Sequence, residues 1–122
     1  MINKEMKMLI ESNALALATV SEDNTPHCIA VAAVKVIGKD KLLVSDNYMG
    51  ETAKNIMRDK HVSLAVWSSD WEKNCTGFEL RGTAQRFTSG KWRDFVKKMP
   101  ENKGMPAKAA IIVTVKKVKR LA

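Results

Sequence analysis

The sequence predicts a mainly β domain of the α+β class, a small antiparallel barrel of six strands with short helices packed at its ends. Two observations carry this expectation. Six strand-length apolar or alternating runs are separated by turns rich in Gly, Pro, Asn, Asp and Ser. Three short segments with helical apolar spacing stand before, between and among those runs. The 122 residues suffice for one core, so a single domain over residues 1–122 is expected.

The elements follow in order. Residues 3–12 read as a helix, with Ile2, Met6, Leu9 and Ile10 on one face and Asn13 as its stop. Residues 14–20 read as a strand buried on both faces, with Leu15, Leu17 and Thr19 alternating against alanines. Ser21–Pro26 is a turn by composition. A second, longer strand is expected over 27–37, a turn at Gly38–Asp40, and a third strand over 41–45. After the polar loop Asp46–Gly50, a short helix over 51–59 turns Ala53, Ile56 and Met57 inward. His61–Trp67 is the fourth strand, with Trp67 alternating onto a possible core face. Thr76–Phe87 is the fifth, with Gly82 marking a bulge or bend. Ser89 is the expected N-cap of a helix over 90–99 with an apolar stripe of Trp92, Phe95, Val96 and Met99, and Pro100 ends it. Ala109–Val115 closes the set, and Lys116–Ala122 continues that strand or frays.

Composition narrows the function classes. At 45% apolar and 28% charged residues, the chain is ordinary for a globular fold. Its beginning mixes charge with apolar residues, unlike a secretory signal, and its longest apolar runs are far too short to cross a bilayer. A cytoplasmic protein without a membrane partner is expected. Cys28 and Cys75 then read as free thiols. With His27 and His61 they lack the paired spacing of a zinc site, and both histidines read as surface residues. The net charge of +8 suits an anionic ligand. Much of it sits at the C-terminus and on the third helix, where a solvated surface explains it better than a nucleic-acid groove does. The chain is 6% aromatic and has no clustered stacking pair on one strand, which argues against nucleic acid as partner.

No nucleophile triad, Gly-x-Gly-x-x-Gly run or Walker loop is present. The informative stretch is Leu42–Ile56, where a strand ends, a polar loop with Tyr48 follows and a helix begins. A helix start offers unpaired backbone N–H groups and the positive end of a dipole, and Thr52 and Lys54 add a hydroxyl and an ammonium. Together they form a candidate phosphate site.

Here the chain resembles the pyridoxamine 5′-phosphate oxidase-like superfamily, and within it the small FMN-binding split-barrel proteins. The resemblance rests on Asn47-Tyr48, Ala53 and Ile56, then Val62-Ser63-Leu64, in that order. Downstream, Thr76–Ala84 with Arg81-Gly82 looks like the family's long strand, and Ala109–Val115 looks like its closing strand. Upstream, Ala16–Val20 and Pro26-His27 look like its first hairpin. The likeness spans about residues 10–118.

The resemblance implies a six-stranded split β-barrel of Greek-key type, working as a homodimer with FMN at the subunit interface. It implies a flavin-dependent oxidoreductase or electron carrier, with no side chain required as acid or base. The phosphate would sit at the start of the helix after the third strand, near Thr52 and Lys54. Thr52 matches a phosphate-holding lysine of the family's oxidases, and Glu51 falls where relatives often carry a basic residue. That carboxylate is compatible with a phosphate only if it points away. The ring would lie against Val31, Ala32, Ala33, Ser45, Asp46, Asn47 and Tyr48, with Trp67, Trp71 and Phe78 at the dimer contact or over the ring. The Trp and Arg pattern that the oxidases carry near the C-terminus is missing, which argues against pyridoxamine phosphate oxidation as the main activity. A same-fold binding protein for haem or a deazaflavin is the alternative.

Overall fold

Asn3 starts the first helix, its side chain accepting from the Met6 amide at 2.9 Å. The computed structural model describes residues 1–122 and places this helix, α1, at Lys4–Ser12. It buries Met6 and Ile10 and ends where Asn13 Nδ2 donates to the Leu9 carbonyl at 2.8 Å. The remaining elements are β1 (Leu15–Val20), β2 (Pro26–Val31), β3 (Lys35–Ile37), β4 (Lys41–Asp46) and α2 (Glu51–Arg58). They are followed by β5 (His61–Trp67), β6 (Gly77–Phe87), α3 (Lys91–Lys98), a 3₁₀ turn at Pro100–Asn102, and β7 (Ala109–Arg120).

There are seven strands, not six, because the expected strand over 27–37 is broken. All lie in one antiparallel sheet of order β2-β1-β5-β6-β7-β4-β3. The chain leaves β2 at one edge and enters β3 at the opposite edge. Ala33 makes this passage possible by adopting φ +56°, a left-handed conformation uncommon for a residue with a Cβ. All seven strands nonetheless feed one core, with Leu17 from β1, Val31 from β2, Val36 from β3, Val44 from β4, Leu64 from β5, Leu80 from β6 and Val113 from β7. A flat sheet could not bring both of its edges into one cluster, so the sheet curls round the core. Its edges β2 and β3 stay unpaired with each other, and that gap is the split. A smaller core of Leu43, Val96, Met99, Ala110 and Ile112 lies beneath α3 on the outer face.

Several local expectations are corrected. β1 is buried on one face only; Leu15, Leu17 and Thr19 are inside while Ala16 and Ala18 are half-buried. Met57 points outward. Ser89 lies one residue too early to cap α3, whose cap position is Gly90 at φ +87° without a side-chain bond. The bulge at Gly82 is present as a register shift between Arg81 and Gly82. β7 continues through Arg120 by pairing with the first half of β6. No helix is long and apolar enough to cross a membrane.

Candidate functional site

One face of the molecule carries a cleft of about 660 Å³. Its walls are β2 with the residues after it, the β4–α2 loop, and the 3₁₀ turn with the segment that follows it. The second and third walls are held by polar bonds made behind them. Asp46, wholly buried, accepts from the Met49 amide at 3.1 Å and from Arg86 Nε at 2.8 Å, with Lys108 Nζ at 3.9 Å. Asn47 and Asn102 exchange side-chain hydrogen bonds of 2.8 and 3.2 Å, and Asn47 Oδ1 also accepts from the Ala107 amide at 3.0 Å. The loop at the end of β4 is thereby tied to the chain sixty residues later.

At the base of the cleft, α2 begins at Gly50 with no side-chain cap. Its first-turn N–H groups and dipole end are open to an anion. Thr52 is only 2% exposed, yet its Oγ1 has no hydrogen-bond partner. The Ser45 Oγ is buried and unpartnered in the same way. Both residues line the cleft. Buried hydroxyls are almost always satisfied, so these two orphans at one cleft are polar atoms with capacity for a further partner.

Seven of the nine residues expected at the site line the cleft: Val31, Ala32, Ala33, Ser45, Asn47, Tyr48 and Thr52. Two do not. Asp46 lies beneath the loop, its carboxylate consumed by Arg86 and Lys108. Lys54, two residues beyond Thr52, is turned away from it around α2 and lines a neighbouring polar groove with Arg58, Glu22 and Asp23. His27, expected on the surface, is a half-buried wall residue of the cleft. Period-two alternation could have found it, since residues 27, 29 and 31 share one face of a strand. Glu101, Asn102, Lys103 and Met105 also line the cleft and carried no sequence signal at all.

Glu51 does not stand free beside the helix start. Its Oε2 accepts from Ser21 Oγ at 2.5 Å and lies 3.5 Å from His27 Nδ1. Asn55, buried behind it, donates to Thr19 Oγ1 at 3.0 Å and to Ser21 Oγ at 3.4 Å. At the cleft mouth Glu101 pairs with Lys35, and this hydrogen bond holds its carboxyl below the usual carboxylate range.

Trp67 and Trp71 are exposed at 46% and 43%, so Trp67 is not a core residue. They share an apolar patch with Val66, Gly77 and Leu121 at the β5–β6 hairpin. Phe78 is buried, with the Arg120 guanidinium 4.7 Å above its ring. Cys28 and Cys75 are both free and exposed.

The family model described as pyridoxamine 5′-phosphate oxidase matches residues 2–122. The chain belongs to the pyridoxamine 5′-phosphate oxidase family. Among its relatives is the uncharacterized protein MJ0282 of Methanocaldococcus jannaschii, 25% identical over 126 residues, covering 98% of this chain and 80% of that protein. The crystal structure of HupZ from Group A Streptococcus is similar at TM-score 0.89 and 26% identity, covering 99% of this chain and 94% of the other. An FMN-binding protein from Syntrophomonas wolfei shares the fold at TM-score 0.79 and 16% identity, over 95% of this chain and 83% of that one. In this pyridoxamine 5′-phosphate oxidase family member, the matched residues include every wall of the cleft.

Proposed function

We propose that the protein is a flavoprotein that holds FMN in this cleft and serves as an electron carrier or a flavin-dependent oxidoreductase. The observation that carries the reading is the pair of orphaned hydroxyls, Ser45 Oγ and Thr52 Oγ1, lining one cleft at an uncapped helix start. The Thr52 hydroxyl and the first-turn amides of α2 bind the phosphate. Ser45 Oγ serves the polar part of the molecule farther up the cleft. Small side chains at Ala30, Ala32 and Ala33 leave room for a flat ring, and the cleft volume lies in the range of cofactor sites. FMN supplies the electron chemistry, and the protein supplies binding, orientation and electrostatics. The fold shared with the FMN-binding protein of Syntrophomonas wolfei supports the reading.

The test is a titration of the purified protein with FMN. Saturable quenching of flavin fluorescence at micromolar concentrations is the expected result. No response to FMN, together with a Soret band on adding haem, would move the assignment to the haem alternative. Thr52→Val separates binding from folding. It removes the orphaned hydroxyl and keeps the shape, so the apoprotein should be as stable as the parent or about 1 kcal/mol more so. FMN should bind about tenfold more weakly, the worth of one good hydrogen bond.

The same proposal includes a homodimer with the cofactor at the contact. The cleft is open along the unpaired edge of β2, and the Trp67–Trp71 patch is an apolar surface without a cover. In a two-fold dimer one such patch covers the partner's cleft and the reverse. Substituting both Trp67 and Trp71 with glutamate should give a folded monomer by light scattering, with FMN binding weakened in parallel. A dimer unchanged by this pair of substitutions places the contact elsewhere.

A further inference from the structure

Resting on the FMN reading, we propose that His27 is the positioning group for the phosphate, and that binding the anion takes up one proton at this imidazole. The first residue of α2 is Glu51, whose carboxylate sits beside the helix start that receives the anion. A negative charge there complements the helix dipole but repels a phosphate.

The structure shows where that charge is held. Ser21 Oγ and His27 Nδ1 both lie against Glu51 Oε2, at 2.5 and 3.5 Å, on the side of the polar groove that Glu51 shares with Ser21. His27 lines the cleft itself, its side chain 26% exposed, and no protein group is bonded to Nε2. In the neutral tautomer that keeps its proton on Nδ1, on the side of the carboxylate, Nε2 carries a lone pair. A lone pair faces a phosphate unfavourably. Protonation at Nε2 turns the same atom into an N–H donor and gives the ring a positive charge between two anions. The imidazolium then does for the anion what a basic residue at position 51 would do.

Charged groups face His27 from several elements. From α2 it faces Glu51, with Lys54 and Arg58 farther along the neighbouring groove. Glu22 and Asp23 of the β1–β2 turn line that groove too. Across the cleft stand Tyr48, Glu101 and Lys103. Imidazole is the side chain that ordinarily changes charge between about pH 5 and 8.

The experiment measures FMN and riboflavin affinity at pH 6.5 and 8.5, a range in which the FMN phosphate stays mostly doubly ionised. Wild-type protein should bind FMN about tenfold more tightly at the lower pH, the effect of one charge-assisted donor. Riboflavin, lacking the phosphate, should show no such change. His27→Gln should bind FMN at both values as weakly as wild type does at pH 8.5. His27→Lys, charged throughout, should bind at pH 8.5 as wild type does at 6.5. If His27→Gln retains the wild-type pH profile, or riboflavin reproduces it, the inference is overturned while the FMN site stands. If FMN binds at neither pH, the cofactor reading itself fails, which is a distinct result. Thermal unfolding of each variant checks folding, and the wild-type comparison of FMN with riboflavin decides even if one variant misfolds.

Discussion

Asp46→Ala should lower unfolding free energy by about 3–5 kcal/mol, the cost of leaving a buried cation without its partner. The thermal midpoint should fall by roughly 10–20 °C for a domain of this size. Asp46 is wholly buried, and Arg86 reaches it from β6 while its own side chain is only 18% exposed. Removing the carboxylate strands that guanidinium in a place water reaches poorly. It also frees the Met49 amide and the ammonium of Lys108, whose Nζ then has only the Met49 carbonyl. These groups fix the loop that presents Asn47, Tyr48 and Gly50 to the cleft, so FMN affinity should fall along with stability. Asp46→Asn is the informative companion. It keeps an acceptor for the Met49 amide and loses the charge, so its loss should be smaller and lie mainly in the Arg86 contact. Equilibrium urea unfolding measures both. A loss under about 1 kcal/mol for Asp46→Ala would mean that Arg86 finds water or another acceptor.

That residue also marks the boundary of what the sequence could say about the site. Asp46 sits between Ser45 and Asn47, both of which line the cleft, and strand alternation breaks down as β4 ends. Only the presence of Arg86, forty residues away, makes its inward position intelligible. Lys54 fails for a local reason. Two residues along a helix rotate a side chain by about 200°, and Thr52 and Lys54 accordingly line different pockets. The far wall at Glu101–Met105 was illegible because Asn47 and Asn102 bring it there by a contact between distant parts of the chain. The place of Thr52 on the cleft was legible, since a strand–loop–helix pattern depends on neighbours in sequence.

The fold was legible for similar reasons. Alternation in β1 and β5, the Gly82 bulge and the short helices all follow from local periodicity. The break of residues 27–37 does not. Ile29 to Val36 form an almost unbroken run of strand-forming or small residues, and nothing in it announces a turn. The break is imposed by topology, because β2 pairs with β1 and β3 pairs with β4 at opposite edges. Ala33 accepts a left-handed conformation to satisfy that demand.

Gly82→Ala should be the most damaging single methyl group that can be added to this protein. An ideal Cβ at Gly82 would lie 2.0 Å from the Thr114 carbonyl oxygen, 2.8 Å from its carbon and 3.1 Å from Val115 Cα. All three are backbone atoms, so no side-chain rotation relieves the contact. The register shift at Arg81 and Gly82 brings β6 this close to β7, and the two strands form the longest pairing in the sheet. Relief requires the bulge to move, which costs about 3 kcal/mol or more by comparison with overpacked cores. The disturbance does not stay local. Arg86 lies four residues along the same strand and supports Asp46 beneath the cleft, so flavin binding should weaken in step with stability. Gly50→Ala provides the contrast at the site itself. Its Cβ meets nothing within 4 Å and its φ is −106°, so stability should change by less than about 1 kcal/mol. Urea unfolding of the two variants side by side tests the argument. Equal effects would show that backbone approach at the bulge is not what requires glycine there.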